Sequence, residues 1–290
     1  MSQSVGSELL IQTLSGKSAI AGVFGWPIDH SRSPRLHGYW LRKYGIDGAY
    51  VPFATHPSKL EQAIRALAVL GFRGGNITLP HKERALGLVD AVTTVAKRIG
   101  AVNTLIVRED GTIQGDNTDG YGFLAHLIAT RPDWSGANGP AVVLGAGGAA
   151  RAIVVALLEA GVPEVRLVNR TTRRAEELAA AIGGPISVRS GDDREAALKD
   201  AGLLVNSTNL GQAGQAPLGI ALDNLPTEAL VYDIVYTPLM TELLKAAQAR
   251  GNPIVDGIGM LLHQATPGFA AWFGREPEVT PELRSFVLGE

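Results

Sequence analysis

Short apolar runs and longer amphipathic stretches alternate along the second half of the chain. The apolar runs predict strands at 141–144, 165–169, 186–189, 203–206, 231–235 and 253–255. The stretches between them predict helices at 148–160, 173–181, 194–199 and 241–249. Strand–helix alternation with short connections is typical of a parallel sheet that helices cover on both faces. The second half is therefore predicted to be a doubly wound α/β unit.

The first half is also α/β, with a less regular order. Its predicted strands are 19–25, 49–54, 75–79, 103–108 and 112–115, and its predicted helices are 33–44, 58–70, 81–90, 95–99 and 119–129. Ser33 is the predicted N-cap of the first helix, with Pro34 at its first helical position. The stretch 131–140 is rich in Pro, Gly and Asn, which predicts a linker between two units. The last two predicted helices, 259–273 and 281–288, fit either unit.

Composition narrows the function classes. The 290 residues suggest about two domains at roughly 150 residues each. A mean hydropathy of +0.11 with 19% charged residues excludes a disordered chain. The net charge of −2 gives no basic field, so neither nucleic acid nor an anionic membrane is an expected partner. The chain has no cysteine, which excludes disulfides, thiolate nucleophiles and Cys-ligated metals.

The sequence also lacks recognisable targeting segments and metal-binding motifs. The first 17 residues lack the basic-then-apolar order of a secretory signal. The apolar run 152–158 is far shorter than the ~20 residues that a membrane helix needs. The six histidines form no HExxH motif, so no metal site is predicted. Together with the lack of cysteine, this favours a cytoplasmic protein.

A glycine-rich turn follows the first strand of the second unit. Residues 145–150, GAGGAA, lie between a predicted strand and a predicted helix and fit the pattern G-x-G-x-x-A. In that context the first glycine makes the tight turn, and the second lets a pyrophosphate approach the backbone. The free N–H groups of the helix N-terminus favour the same anion. The turn therefore predicts a dinucleotide-binding site.

The end of the next strand indicates which dinucleotide binds. An NAD site usually has an acidic residue there for the ribose 2′-hydroxyl, but this chain has Asn169, Arg170 and Thr171. Arg173 and Arg174 follow closely. Guanidinium groups bind a 2′-phosphate bidentately, so NADP is predicted rather than NAD. Arg173 is the arginine most easily explained as a solvated helix residue that pairs with a nearby glutamate.

Polar side chains of the first unit gather at strand ends. The clusters are 30–34, 76–82, 103–104 and 115–120. Ligands of α/β sheets bind beyond the carboxyl ends of the strands, and hydroxyls, amides, one lysine and one aspartate suit a polyhydroxylated carboxylic acid. Each cluster could instead have a purely structural role, because Ser33 or Asp119 could cap the helix that follows it.

These motifs, in this order, resemble shikimate dehydrogenases. The resemblance covers about residues 22–274 and rests on the segments 25–34, 75–82, 100–104, 115–120, 145–149, 169–171, 206–208, 233–238 and 257–264. It implies two domains, a substrate domain at 1–122 and a Rossmann-type NADP domain at 123–256, with C-terminal helices at 257–290 that return to the substrate domain. It also implies reversible NADPH-dependent reduction of 3-dehydroshikimate to shikimate, a step of aromatic amino-acid biosynthesis. One departure is Gly38, where many relatives have Asn.

The resemblance implies a role for each motif residue. Lys82 and Asp119 would be the catalytic pair, and Ser31 and Ser33 would hold the substrate carboxylate. The ring hydroxyls would meet Asn76, Thr78, Asn103 and Gln264, as well as the catalytic pair, with Tyr236 nearby. The cofactor would contact Gly145, Ala146, Gly147, Gly148, Ala149, Asn169, Arg170, Thr171, Arg174, Thr208, Ile234 and Gly257.

The residue types suit hydride transfer to a ketone, because a lysine ammonium can stabilise the charge that develops on the carbonyl oxygen. Whether Lys82 donates the proton, acts as an electrostatic clamp or does both stays open. An alternative is a quinate/shikimate dehydrogenase, or a paralogue that acts on a related hydroaromatic acid. A non-catalytic NADP-sensing module is a remote alternative, which the presence of both Lys82 and Asp119 disfavours. Relatives occur as monomers and dimers, so either state is expected.

Overall fold

The computed structural model describes residues 14–290; the predictions for the first 13 residues lie outside that range. The first sheet has the strand order β2-β1-β3-β5-β6-β4. Its strands are β1 (Ala19–Gly25), β2 (Gly48–Ala54), β3 (Gly74–Ile77), β4 (Ala91–Val92), β5 (Thr104–Val107) and β6 (Ile113–Asp116). β5 pairs antiparallel with both β3 and β6, so the sheet is mixed. Its helices are α1 (Ser33–Lys43), α2 (Leu60–Val69), α3 (Lys82–Ala85) and α4 (Thr94–Ile99).

The second sheet has the order β12-β11-β10-β7-β8-β9, and every neighbouring pair is parallel. Its strands are β7 (Ala141–Leu144), β8 (Val165–Asn169), β9 (Ile186–Ser190), β10 (Leu203–Asn206), β11 (Leu230–Asp233) and β12 (Ile254–Val255). The remaining helices are α5 (Asp119–Thr130), α6 (Gly148–Glu159), α7 (Thr172–Ile182), α8 (Glu242–Ala249), α9 (Ile258–Phe273) and α10 (Pro281–Leu288). Buried apolar cores lie on both faces of this sheet. The predicted doubly wound parallel sheet is confirmed.

Helices α9 and α10 return to the first sheet. Ile258, Leu262 and Phe269 of α9 share one buried core with Ala21 of β1 and Trp40 of α1. The C-terminal helices therefore pack on the first sheet, as the resemblance implied, because α9 carries an apolar face that β1 and α1 cover.

Helices α5 and α9 cross at close range and link the two sheets. A β-carbon on Gly122 of α5 would lie 2.6 Å from the backbone nitrogen of Gln264, and one on Gly259 of α9 would lie 2.0 Å from the His126 ring. Only glycine permits this approach. Because α5 begins at Asp119 and Phe123 already packs in the core of the second sheet, the predicted boundary at 122/123 falls inside this helix. The domain limits remain a prediction.

Some local predictions are wrong. The N-cap of α1 is Arg32, and Ser33 is its first helical residue. The predicted helix at 81–90 stops at Ala85, because Leu88 and Val89 turn away to pack on the buried core formed by α2 and the first sheet. The strand β4, which was not predicted, follows. Only a 3₁₀ turn, Ala196–Leu198, forms within 194–199.

The predicted linker is a packed segment. Trp134 contacts the core of the second sheet, and a β-carbon on Gly136 would lie 2.1 Å from the Ala160 carbonyl oxygen. Gly136, which contributed to the prediction of a linker, is needed because the backbone lies against the end of α6. Helix α5, not 131–140, makes the passage between the two sheets.

Candidate active site

A cavity of about 130 Å³ opens at the carboxyl ends of β1 and β3. The predicted substrate and catalytic residues all line it: Ser31, Ser33, Asn76, Thr78, Lys82, Asn103, Asp119, Tyr236 and Gln264. Asn103 reaches the same edge because β5 runs antiparallel to β3, so that Thr104 stands opposite Asn76. Six segments that are separated in sequence therefore supply one polar cavity.

Lys82 and Asp119 form an ion pair in this cavity. The Lys82 Nζ atom lies 2.5 Å from Asp119 Oδ2, and the two side chains are only 15% and 5% exposed. Lys82 is the first residue of α3 and Asp119 the first residue of α5. Both charged groups therefore lie at the N-termini of helices that follow strands β3 and β6, which brings them to the same edge of the sheet. Low exposure reduces solvent screening of this pair.

Asn103 holds the other oxygen of Asp119. Its Nδ2 atom donates to Asp119 Oδ1 at 2.8 Å and to Gln264 Oε1 at 3.2 Å. Its Oδ1 atom accepts from the backbone N–H of Thr118 at 2.9 Å. Asn103 therefore fixes the carboxylate of the predicted catalytic aspartate while it lines the cavity.

Tyr236 closes another side of the cavity. Burial raises the pKa of Tyr236, and the nearby Arg32 guanidinium opposes that shift. The hydroxyl therefore stays protonated near neutral pH, and can donate a hydrogen bond to a ligand.

Two polar side chains at this site received no role from the sequence: His30, which belongs to the predicted cluster 30–34, and Tyr50, which no motif contains. His30 lines the cavity beside Ser31, and its place in the motif at 25–34 was the available signal. Tyr50 of β2 donates its hydroxyl hydrogen to Asn76 Oδ1 at 2.6 Å. No signal marked Tyr50, because it stands in a strand pattern of alternating apolar residues.

The glycine-rich turn has room for a phosphate group. Gly145 has φ +110°, and a β-carbon on it would lie 2.8 Å from Ser207 Oγ. Gly147 is the N-cap of α6 without a side-chain capping bond, and a β-carbon on it would meet no atom within 4 Å. No side chain therefore caps the first N–H groups of α6, and an uncapped helix N-terminus suits a pyrophosphate. Ala146 and Ala149 complete the turn with small side chains.

The ends of β10 and β11 face this turn: a β-carbon on Gly145 would lie 3.0 Å from Thr208 Cγ2. The Thr208 hydroxyl donates to Asn206 Oδ1 at 2.7 Å, and the Ile234 N–H donates to the Asn206 carbonyl at 3.1 Å. A β-carbon on Gly257 would lie 2.3 Å from the Ile234 carbonyl oxygen. Thr208, Ile234 and Gly257 therefore belong to one tightly packed edge opposite the turn.

The predicted 2′-phosphate residues lie at the end of β8, away from the substrate cavity. Asn169 Nδ2 donates to the Thr171 carbonyl at 2.9 Å, which shapes the turn into α7. Arg173 pairs with Glu177 at 2.9 Å on the helix surface, as expected. Arg174 instead points toward Glu83 of α3, at 3.9 Å, and Arg170 is exposed. Arg170 forms no ion pair in residues 14–290, and Arg174 is held only by the long contact with Glu83, so both can turn toward an anionic ligand.

Comparison with known proteins decides the family. Residues 23–105 match the model of the shikimate dehydrogenase substrate binding domain, and residues 129–213 match that of shikimate/quinate 5-dehydrogenase. A shikimate dehydrogenase (NADP(+)) from Paramagnetospirillum magneticum is 58% identical over 275 residues, which are 95% of this chain and 100% of that protein. The chain belongs to the shikimate dehydrogenase family.

Solved members of this family share the fold. Shikimate 5-dehydrogenase from Thermus thermophilus, in complex with NADP(H) and shikimate, has a TM-score of 0.83 and 37% identity and covers 93% of this chain and 99% of its own. Quinate dehydrogenase from Corynebacterium glutamicum, in complex with NAD, has a TM-score of 0.86 and 31% identity and covers 94% and 99%. The resemblance and the two-domain α/β fold inferred from the sequence are confirmed.

Residues 14–290 contain neither a membrane-spanning helix nor a cluster of metal ligands. No helix there is long and apolar enough to cross a membrane. No three histidine, aspartate or glutamate side chains in that range lie close enough together to hold a metal ion.

Proposed function

We propose that this protein catalyses the reversible NADPH-dependent reduction of 3-dehydroshikimate to shikimate. The observation that carries the proposal is the shielded Lys82–Asp119 pair in a polar cavity that adjoins the glycine-rich turn. A β-carbon on Gly148 of that turn would lie 3.3 Å from the Lys82 side chain. A ligand in the cavity and a dinucleotide on the turn would therefore meet beside Lys82.

The residues fit the chemistry of ketone reduction. NADPH, when bound, supplies the hydride. Lys82 stabilises the negative charge that develops on the carbonyl oxygen, and its ammonium group can deliver a proton to that oxygen. Asp119 orients Lys82 and accepts a hydrogen bond from the product hydroxyl. Ser31 and Ser33 hold the carboxylate through their hydroxyl groups.

The cofactor part of the proposal depends on Arg170 and Arg174. Both lie next to the end of β8, where the adenine ribose passes in a Rossmann fold, and no acidic residue occupies 169–171. Two guanidinium groups favour a dianionic 2′-phosphate. The relative at 58% identity carries NADP(+) in its name, which supports the same choice.

Quinate with NAD is the second candidate, because the Corynebacterium glutamicum neighbour is a quinate dehydrogenase with NAD bound. Quinate has an extra hydroxyl on the carbon that carries the carboxylate, next to Ser33 and Thr78, and both residues here are of the shikimate type. The test is an assay of the purified protein with shikimate or quinate and with NADP or NAD. Faster turnover of shikimate with NADP supports the proposal; faster turnover of quinate supports the alternative, and no turnover with either acid contradicts both.

We also propose the domain limits 1–122, 123–256 and 257–290, a cytoplasmic location, and a monomer or homodimer without nucleic-acid or membrane partners. The net charge of −2 supports the absence of nucleic-acid and membrane partners. Light scattering after gel filtration measures the oligomeric state.

A further inference from the structure

Tyr50 lies behind the substrate cavity, between two residues that line it. Its side chain is buried, with 7% of the residue exposed. Its hydroxyl donates to Asn76 Oδ1 at 2.6 Å, and both Asn76 and Ser33 line the cavity. Tyr50 therefore supports from behind a residue that is proposed to face a ring hydroxyl of the substrate.

The partners of Asn76 determine how its amide is oriented. Asn76 Nδ2 lies 3.1 Å from the carbonyl oxygen of Asn103, which can only accept a hydrogen bond. The NH₂ group must therefore point at Asn103, and Oδ1 must point at Tyr50. Oδ1 can only accept, so the Tyr50 hydroxyl must donate. Reversing the amide would leave two oxygens facing each other at the Asn103 carbonyl.

The ring of Tyr50 is itself held in place. The His37 ring stacks on it with centroids 3.9 Å apart and an interplanar angle of 12°. Trp272 packs against it from another side, with centroids 5.9 Å apart. Burial raises the pKa of Tyr50 well above its ordinary value, so the hydroxyl keeps its hydrogen throughout the physiological range.

We propose that Tyr50 is a positioning residue for substrate binding: its hydroxyl fixes the amide of Asn76 in the orientation that the substrate meets. This inference rests on the proposed function, because it assigns the cavity to the hydroaromatic acid. The contacts of Tyr50 are with Asn76, His37 and Trp272, and not with Lys82 or the glycine-rich turn. We therefore expect Tyr50 to affect the binding of the acid and not hydride transfer.

The test is Tyr50→Phe, which keeps the ring and its stacking and removes only the hydroxyl. Asn76 Oδ1 then loses its donor in a buried position, and we expect the Kd and KM for shikimate to rise ~10-fold. We expect kcat to stay within about threefold and the KM for NADP within about twofold, because the Tyr50 hydroxyl contacts Asn76 and not Lys82 or the glycine-rich turn. The matched control is Tyr44→Phe, which removes a hydroxyl that accepts from the Glu278 N–H at 3.0 Å, far from the cavity.

A double-mutant cycle separates positioning from general structure. In an Asn76→Ala background, Tyr50→Phe should raise the shikimate Kd, measured by calorimetry, by less than about twofold, because its partner is already gone. A Tyr50→Phe protein with an unchanged Kd, or effects that multiply in the double variant, would overturn the inference. A parent protein that turns over neither shikimate nor quinate would overturn the proposed function instead, so the two failures are distinguishable.

Discussion

Lys82 of the substrate cavity packs directly against Gly148 of the glycine-rich turn: a β-carbon on Gly148 would lie 3.3 Å from both Cβ and Cδ of Lys82. The two residues belong to helices on different sheets. Their contact places the ammonium group that lines the cavity beside the glycine-rich turn. Under the proposed function, substrate and cofactor would therefore meet at Lys82.

Removal of that lysine should nearly abolish turnover. We expect Lys82→Ala to lower kcat by ~10³-fold, because both the charge that stabilises the oxyanion and the nearest proton donor are lost. Steady-state NADP reduction with shikimate measures the effect. Lys97→Ala, at an exposed position of α4, is the control and should leave kcat unchanged. Near-normal turnover of Lys82→Ala would show that the catalytic assignment is wrong.

Asp119→Asn tests the partner of the ion pair. The amide keeps the shape of the side chain but removes the negative charge at 2.5 Å from Lys82, and its NH₂ group competes with the donor from Asn103. We expect kcat to fall ~10²-fold, since a misplaced acid–base partner typically costs this much, and the melting temperature to fall as well, because the shielded Lys82 ammonium loses its partner. Asp133→Asn, on the surface, provides the comparison. A variant that loses stability but keeps kcat would point to a structural role.

The arginines at the end of β8 should determine cofactor choice. We expect Arg170→Ala and Arg174→Ala each to raise the KM for NADP ~10-fold or more while the KM for NAD stays unchanged, because only NADP carries the 2′-phosphate. Arg173→Ala is the matched control, since Arg173 pairs with Glu177 on the helix surface. Equal changes with both cofactors would contradict a 2′-phosphate site.

His37 should make the protein sensitive to acid. It is fully buried, and neither ring nitrogen has a hydrogen-bond partner in residues 14–290. Burial lowers the pKa of His37 from 6.5 to about 3. Between pH 6.5 and about 3, His37 is therefore protonated in the unfolded chain and neutral in the folded chain. Stability from this group is complete above pH 6.5 and declines by about 1.4 kcal/mol per pH unit below it.

The variant His37→Phe checks this sign. It should unfold in urea at about the parent's midpoint near pH 7, and should lose less stability than the parent when the pH is lowered to about 5. Part of the acid sensitivity will remain, because burial also lowers the pKa of His126, to about 4. An unchanged pH dependence in His37→Phe would contradict the assignment. Substitution of the exposed His56 by Phe serves as the control.

The sequence could be used to predict the elements whose signals are local. The strand β1 at 19–25, the parallel order of the second unit and the glycine-rich turn all follow from runs of apolar residues and from glycine, which act within a few neighbouring positions. The predicted helix at 81–90 and the linker at 131–140 failed, because packing of Val89 and Trp134 on distant cores overrides local propensity.

By itself the sequence determined the α/β class, the family resemblance and the list of polar residues that now line one cavity. Tertiary structure alone decided that Asp119 faces Lys82, that Asn103 holds Asp119, and that Tyr50 stands behind Asn76. These contacts join segments separated by up to 37 positions, and the Asn103–Gln264 contact spans 161. Local pattern carries no information about such distances, because they depend on how two sheets and the α5–α9 crossing pack together.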